Sequence, residues 1–304
     1  MPKMIDGAAI AAAIKLEVAE EVRTLAMGGI RPGLAAVLVG NVAASEIYVR
    51  NKVRICSEVG IYSDLITRPA TVSTEELLEL VASLNARDEI DGILIQLPLP
   101  AHVDAKKLLD AILPAKDVDG LHPVNAGLLQ AGRTALAPCT PAGVIEILKR
   151  SSIPISGQQA VVVGRSDLVG KPAAMLLLHE NATVTICHSK TRDLGVITRQ
   201  ADILVAAIGR AGFITPEMVK PGATLIDVGI NRITERAEFD RFFAGNAKRE
   251  AAFSKNGSTL VGDIHPAAFA LAGAYTPVPG GVGLLTTAML MANTVRATKM
   301  RRGL

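Results

Sequence analysis

Ser45, Tyr48 and Lys52 stand three and four residues apart, a spacing that sets a hydroxyl, an aromatic ring and an amine on one helical face. Such a face can form part of a ligand site, but the spacing alone does not specify one. The same trio is also what a half-buried packing ring and a solvated surface lysine produce. The apolar run 92–97 ends in Gln96, Leu97, Pro98, Leu99 and Pro100. Open α/β folds bind ligands at the carboxyl ends of parallel strands, which puts Gln96 where a substrate would lie. Asp117, Asp119 and His122 follow in the turn-rich segment KDVDGLHPVN. No second cluster of Asp, Glu or His supplies the other ligands that a hard cation needs, so no metal is expected. A carboxylate that hydrogen-bonds a nitrogenous ring is the reading for this pair, and His122 reads as a structural hydrogen-bonding group.

A second constellation begins with Val161, Val162 and Val163, which lead into GRSDLVGKP at 164–172 and then an apolar run. Strand, glycine turn and helix in this order make a phosphate cradle, since glycine turns tightly and a helix N-terminus favours anions. The pattern departs from G-x-G-x-x-G: Ser166 stands at the second glycine and Gly170 comes one residue late, so an ordinary strand-to-helix turn fits it too. The next strand runs out into His188, Ser189, Lys190, Thr191 and Arg192, with no acid before Asp193. A carboxylate there binds the free ribose of NAD, whereas cations accommodate a 2′-phosphate, so the cofactor expected is NADP.

These groups need two scaffolds. A chain of 304 residues, 49% of them hydrophobic, is about twice the usual domain size. The first unit reads as an amphipathic opening helix and buried parallel strands at 33–40, 61–68 and 92–97, with helices at 44–59, 73–86 and 104–113 between them. A Pro- and Gly-punctuated passage follows, and the alternation restarts near residue 140 with strands at 160–163, 182–187, 202–208 and 223–228. The fold class is therefore α/β, with two α/β domains around a cleft and the second a Rossmann-like, doubly wound parallel sheet. Residues 234–256 break the rhythm and read as a polar excursion with a short helix, and a last helix covers 283–299. The basic tail at 299–302 reads as solvated.

Bulk properties narrow the function. Thirty-two Lys and Arg against 29 Asp and Glu are dispersed without an aromatic-laced basic stripe, which argues against a nucleic-acid partner. Every apolar stretch is interrupted well before the roughly 18 residues of a membrane span, so no membrane is expected. Cys56, Cys139 and Cys187 match neither a zinc site nor a disulfide framework; they read as small buried hydrophobes in a reducing, cytoplasmic setting.

Nine stretches taken together resemble the bifunctional methylenetetrahydrofolate dehydrogenase and methenyltetrahydrofolate cyclohydrolase family, in family order across nearly the whole chain. They are YVRNK (48–52), DGILIQLPLP (91–100), KDVDGLHPVNAG (116–127), PCTPAG (138–143), VVVGRSDLVGKP (161–172), ATVTICHSKT (182–191), DVGIN (227–231), VGD (261–263) and TPVPGGVG (276–283). The resemblance implies oxidation of 5,10-methylenetetrahydrofolate with NADP and hydrolysis of the methenyl product to 10-formyltetrahydrofolate, in one-carbon metabolism and purine biosynthesis. It implies a folate-binding catalytic domain at 1–140, rejoined by 283–304, and an NADP-binding domain at 141–282. Tyr48 would stack on the aminobenzoyl ring, Lys52 and Gln96 would stand at the reacting carbon, and Asp119 would bind the pterin. Ser45, Leu97, Pro98, Pro277, Gly280 and Gly281 would complete the substrate contacts. Gly164, Arg165, Ser166, Val169, Ser189 and Ile230 would bind the cofactor, with Arg165 and Ser189 at the 2′-phosphate. Tetrahydrofolate derivatives and a second copy in a homodimer are the implied partners.

Three departures stand out: Leu284 replaces the proline after GGVG, Asn41 and Val42 replace a more acidic, Pro-containing turn, and 233–259 is longer than the usual link. A folate-binding relative with one activity or neither is the alternative, against which the retention of Tyr48, Lys52, Gln96 and Asp119 together argues.

Overall fold

The computed structural model describes residues 1–41, 43–133 and 136–304; Val42 lies outside them. The chain begins with β1 (Lys3–Met4), α1 (Gly7–Met27), β2 (Gly33–Val39), α2 (Ala43–Val59), β3 (Tyr62–Arg68), α3 (Thr74–Ala86), β4 (Gly92–Ile95), α4 (Ala105–Ala111), α5 (Pro123–Gln130) and α6 (Cys139–Arg150). It continues with β5 (Gln159–Val163), α7 (Gly170–His179), β6 (Thr183–Cys187), α8 (Leu194–Thr198), β7 (Ile203–Ala206) and β8 (Thr224–Asp227). Then come β9 (Asn231–Ile233), α9 (Arg236–Phe243), α10 (Ala247–Asn256), β10 (Thr259–Val261), β11 (Ala274–Tyr275) and α11 (Val282–Arg302). Two compact units result, one of Met1–Ile10 with Thr140–Thr286 and one of Ala11–Cys139 with Thr287–Leu304.

The second of these is built on a parallel three-stranded sheet in the order β3-β2-β4. Every residue of β2, GLAAVLV, is buried, as a strand covered on both faces requires. Val37 and Val39 of β2 pack with Ile93 and Ile95 of β4 and with Leu77, Val81 and Leu84 of α3. Burying each such side chain contributes roughly 1.5–3 kcal/mol. A reciprocal capping box between Ser73 and Glu76 starts α3 by satisfying two otherwise orphaned donors. At the other end of α3, the buried Lys116 ammonium donates to the carbonyls of Leu84 (3.1 Å), Asn85 (2.8 Å) and Arg87 (2.6 Å). A cation at the negative end of the helix dipole is favourable, although burial lowers the Lys116 pKa to about 8.

The basic tail is not merely solvated. Arg301 pairs with Asp91, which is fully buried, and donates to the Ile90 carbonyl at 3.0 Å, while Arg302 pairs with Asp88 at 3.2 Å. A carboxylate with no access to water needs a charged or donating partner, and the end of α11 supplies it. Residues 123–130, expected to be turn, form α5. Pro123 suits its first turn, and His122 caps it by accepting from the Val124 N–H at Nδ1 (3.0 Å).

The other unit carries a parallel six-stranded sheet in the order β1-β11-β8-β7-β5-β6. After β5 the chain adds β6 on one side and then β7 on the other, so the winding reverses between β5 and β7, as in a doubly wound fold. The excursion holds more than one short helix. It forms an antiparallel β9–β10 pair carrying both α9 and α10, closed over Phe239, Phe242, Phe243 and Phe253. The cause is aromatic spacing: Phe239, Phe242 and Phe243 share a helical face, and Phe239 meets Phe253 with ring centroids 4.6 Å apart. Among the described residues no helix is long and apolar enough to cross a membrane. Cys56, Cys139 and Cys187 are all buried free thiols.

Candidate active site

In the three-stranded unit the winding also reverses, between β2 and β4, and Gln96 sits there. It follows β4 directly, and its N–H donates to the Val37 carbonyl of β2 at 2.9 Å. From α2, Lys52 Nζ donates to Gln96 Oε1 at 3.0 Å, while Gln96 Nε2 donates to the Leu97 carbonyl at 2.7 Å. The second bond fixes which end of the amide faces the lysine. Leu97–Pro98 is a cis peptide. On α2, Ser45 is buried, whereas Tyr48 is 54% exposed, a free aromatic surface on the Lys52 side of the helix.

Asp119 completes this group. Burial raises its pKa, the nearby Lys52 charge opposes that shift, and Asp117 adds to it. Its Oδ1 accepts from the Cys139 thiol at 3.8 Å. Burial holds Cys139 well above its ordinary pKa, so the group is a neutral donor there. Asp117 plays a different part. It accepts from the backbone N–H groups of Leu121 (3.1 Å) and His122 (2.8 Å) and from Asn125 Nδ2 (2.8 Å), which closes the turn beside Asp119. The residue that sequence reasoning missed is Asn293 on α11. Its Nδ2 donates to the carbonyls of Val118 and Ala137, both at 2.8 Å, and so ties together the backbone just ahead of Asp119 and just ahead of Cys139. Its only sequence signal was an amide inside the apolar run MLMANTV. Among the described residues, no group of three or more His, Cys, Asp or Glu is placed to hold a metal.

In the six-stranded unit, Gly164 and Gly170 make the cradle at the winding reversal. Gly164 has φ +134°, and a Cβ on it would lie 2.1 Å from the Ala207 carbonyl oxygen, at the end of β7. A Cβ on Gly170 would lie 2.2 Å from the Gly164 oxygen, so only glycine lets α7 start this close to β5. Ser166 Oγ accepts from the N–H groups of Val169 (3.2 Å) and Gly170 (3.3 Å), which folds the loop onto the helix. Among the described residues, the backbone N–H groups of 165–168 have no protein acceptor. Arg165, Ser189 and Lys190 are exposed, and Ile230 is half exposed. Gly281, in the same unit, lies where a Cβ would be 2.6 Å from the Pro277 oxygen, so the Pro277, Gly280 and Gly281 turn is tightly folded on itself.

Two buried carboxylates hold the loops around this cradle. Asp227 accepts from the N–H groups of Gly229 (3.0 Å), Asp263 (2.8 Å) and Ile264 (2.9 Å). Asp263 in turn accepts from the N–H groups of Ile208, Gly209 and Arg210 and from Asn231 Nδ2. Burial pushes the Asp227 carboxyl up to about 7 against the pull of its donors.

Residues 5–119 match the model of the tetrahydrofolate dehydrogenase/cyclohydrolase catalytic domain, and residues 138–302 match that of the family's NAD(P)-binding domain. The chain belongs to the tetrahydrofolate dehydrogenase/cyclohydrolase family. Bifunctional protein FolD of Koribacter versatilis is 67% identical over 300 residues, covering 99% of this chain and 98% of that one. The crystal structure of the bifunctional FolD enzyme of Campylobacter jejuni is 40% identical, covers 99% of this chain and 100% of its own, and superposes with a TM-score of 0.89. The Trypanosoma brucei dehydrogenase-cyclohydrolase, solved with NADP and an inhibitor, is 38% identical, covers 100% and 99%, and gives 0.88. The two α/β units with parallel sheets are thus the family's fold. Asp227 and Asp263 fall within the DVGIN and VGD stretches by which the sequence resembles the dehydrogenase/cyclohydrolase family.

Proposed function

We propose that this chain oxidises 5,10-methylenetetrahydrofolate to 5,10-methenyltetrahydrofolate with NADP and then hydrolyses the product to 10-formyltetrahydrofolate. The observation that carries the reading is the Lys52–Gln96 hydrogen bond at the carboxyl end of β4, with Asp119 within electrostatic reach. The unit containing Ala11–Cys139 binds the folate. There the exposed Tyr48 ring stacks on the aminobenzoyl group, Asp119 accepts from pterin N–H donors, and Ser45, Leu97 and Pro98 shape the surroundings.

NADP, when bound, supplies the hydride acceptor. The unit containing Thr140–Thr286 holds it. The Gly164 turn and the unpaired N–H groups of 165–168 suit a phosphate, as does the tight start of α7. Arg165, Ser189 and Lys190 provide donors and charge for a 2′-phosphate where no carboxylate is placed to take the free hydroxyls. Ser166, Val169 and Ile230 frame the cofactor.

Loss of hydride leaves a cation shared by two nitrogens, so this step needs orientation and electrostatics rather than a base. Hydrolysis makes a different demand. Attacking water must lose a proton and a ring nitrogen must gain one, and Lys52, aimed by Gln96, is the group placed to carry that proton. The enzyme works as a homodimer in the cytoplasm and supplies formyl groups for purine biosynthesis; three buried free thiols suit a reducing compartment.

The test is a progress curve with methylenetetrahydrofolate and NADP. NADPH and formyltetrahydrofolate should both appear. No NADPH overturns the reaction, and equal or better catalytic efficiency with NAD overturns the cofactor assignment.

A further inference from the structure

The long 233–259 segment contributes one wall of a cavity of about 370 Å³ that lies wholly within the six-stranded unit. That volume is in the range of about 300–1,000 Å³ typical of small-molecule sites. Phe242 and Phe243 line it from the segment, and Phe269, Tyr275 and Val278 line it from the rest of the unit. Phe269 and Tyr275 are stacked, with centroids 4.5 Å apart, so an aromatic surface faces the space. Into this apolar lining comes one cation, Arg249 of α10.

The guanidinium of Arg249 lies 4.7 Å over the Phe243 ring. It donates from Nη1 to Thr259 Oγ1 (3.4 Å) and the Leu260 carbonyl (3.2 Å), and from Nη2 to the Val278 carbonyl. All three acceptors are neutral oxygens. Among the described residues no carboxylate pairs with Arg249; the adjacent Glu250 is bound to Arg236. A guanidinium has five N–H groups, so two remain after these bonds. Burial alone shifts this side chain, lowering its pKa, with no anion to oppose the change. A half-buried cation that lacks a counter-charge, in a cavity of small-molecule size, is a preformed anion receptor.

We propose that this cavity binds a small aromatic carboxylate, its charge taken by the free N–H groups of Arg249 and its ring by the wall of Phe242, Phe269 and Tyr275. A rigid planar acid matches both features: a bidentate fork for the carboxylate and ring faces for the body. The lining includes neither Gly164 nor Gly170; Pro277, an implied substrate contact, borders it, and the proposal does not rest on the folate reading.

The probe is naphthalene-2-carboxylate, with the neutral naphthalene-2-carboxamide as its control, titrated calorimetrically into full-length protein saturated with NADP and tetrahydrofolate. The acid should bind one to one and at least tenfold more tightly than the amide. Arg249→Gln should bring the acid down to the affinity of the amide. Because the chain has no tryptophan, Ala244→Trp places a sole indole on the cavity lining, and its emission should change as the acid binds. Equal affinity for acid and amide, absence of acid binding, full affinity in Arg249→Gln, or an unchanged indole emission would each overturn the proposal. The acid–amide comparison on the unaltered protein decides the matter if Arg249→Gln does not fold.

Discussion

Gln96 donates its side-chain Nε2 to the Leu97 carbonyl, which leaves its Oε1 aimed at Lys52 and the lysine with donors to spare for a ligand. Lys52→Met keeps much of the side-chain length and removes the amine. Cyclohydrolase activity should then fall by on the order of a hundredfold or more, the scale of a lost acid–base group. The dehydrogenase should fall less, and methenyltetrahydrofolate should accumulate, as its absorbance will show. A common factor for both steps would make Lys52 a positioning group instead. Asp119→Ala should abolish folate-dependent turnover while NADP affinity, measured by calorimetry, stays nearly constant; unpaired ligand donors cost about 1–3 kcal/mol each. In the sequence, Lys52, Gln96 and Asp119 stood out through the matching stretches rather than through their mutual spacing, since Lys52 and Gln96 are 44 residues apart. The roles of Asp227 and Asn293 were not legible there, since the donors to the Asp227 carboxylate and the acceptors of the Asn293 amide lie as far as 37 and 175 residues away.

For the elements, the contact between the start of α7 and the end of β5 sets a sharp limit. A Cβ at Gly170 would stand 2.2 Å from the Gly164 oxygen and 2.8 Å from the Arg165 nitrogen, and backbone cannot step aside as a flexible side chain can. Gly170→Ala must therefore move α7 away from the turn. NADP affinity should drop at least tenfold, with KM for the folate little changed; an unaltered cofactor KM would show that the cradle tolerates the shift. Regular strands and helices were readable from apolar periodicity, and their ends agree to within a few residues. The excursion at 234–256 was not, because α9 and α10 are polar in sequence and are held by four phenylalanines that meet only in three dimensions. The two-residue β1 was equally invisible, being specified by its partner β11 and not by its own pattern.

Across the whole molecule, the buried carboxyl of Asp227 links stability to pH. Its pKa rises from 3.8 to about 7 on folding, chiefly by burial, so the folded chain binds this proton more tightly than the unfolded one does. The stability it contributes is full below about pH 4 and is lost as pH climbs through about 7. Chemical unfolding of the native protein and of Asp227→Asn across that window should give diverging curves, with only the native protein weakening as pH rises. Parallel curves would mean that the backbone donors of Gly229, Asp263 and Ile264 keep the carboxylate ionised throughout.

Each compact unit is assembled from two separated stretches of chain, and synthesis runs in one direction only. Residues 11–139 leave the ribosome long before 287–304, and Asp91 is made 210 residues ahead of the Arg301 that pairs with it. At about 5–20 residues per second, that interval is roughly 10–40 s. For that time the nascent three-stranded sheet lacks α11, the Asn293 amide that grips the Asp119 turn and the counter-charge for a carboxylate that must be buried. The segment that begins folding first is thus completed last, and chaperones that shield nascent chains have their longest opportunity on the half of the molecule that carries Lys52.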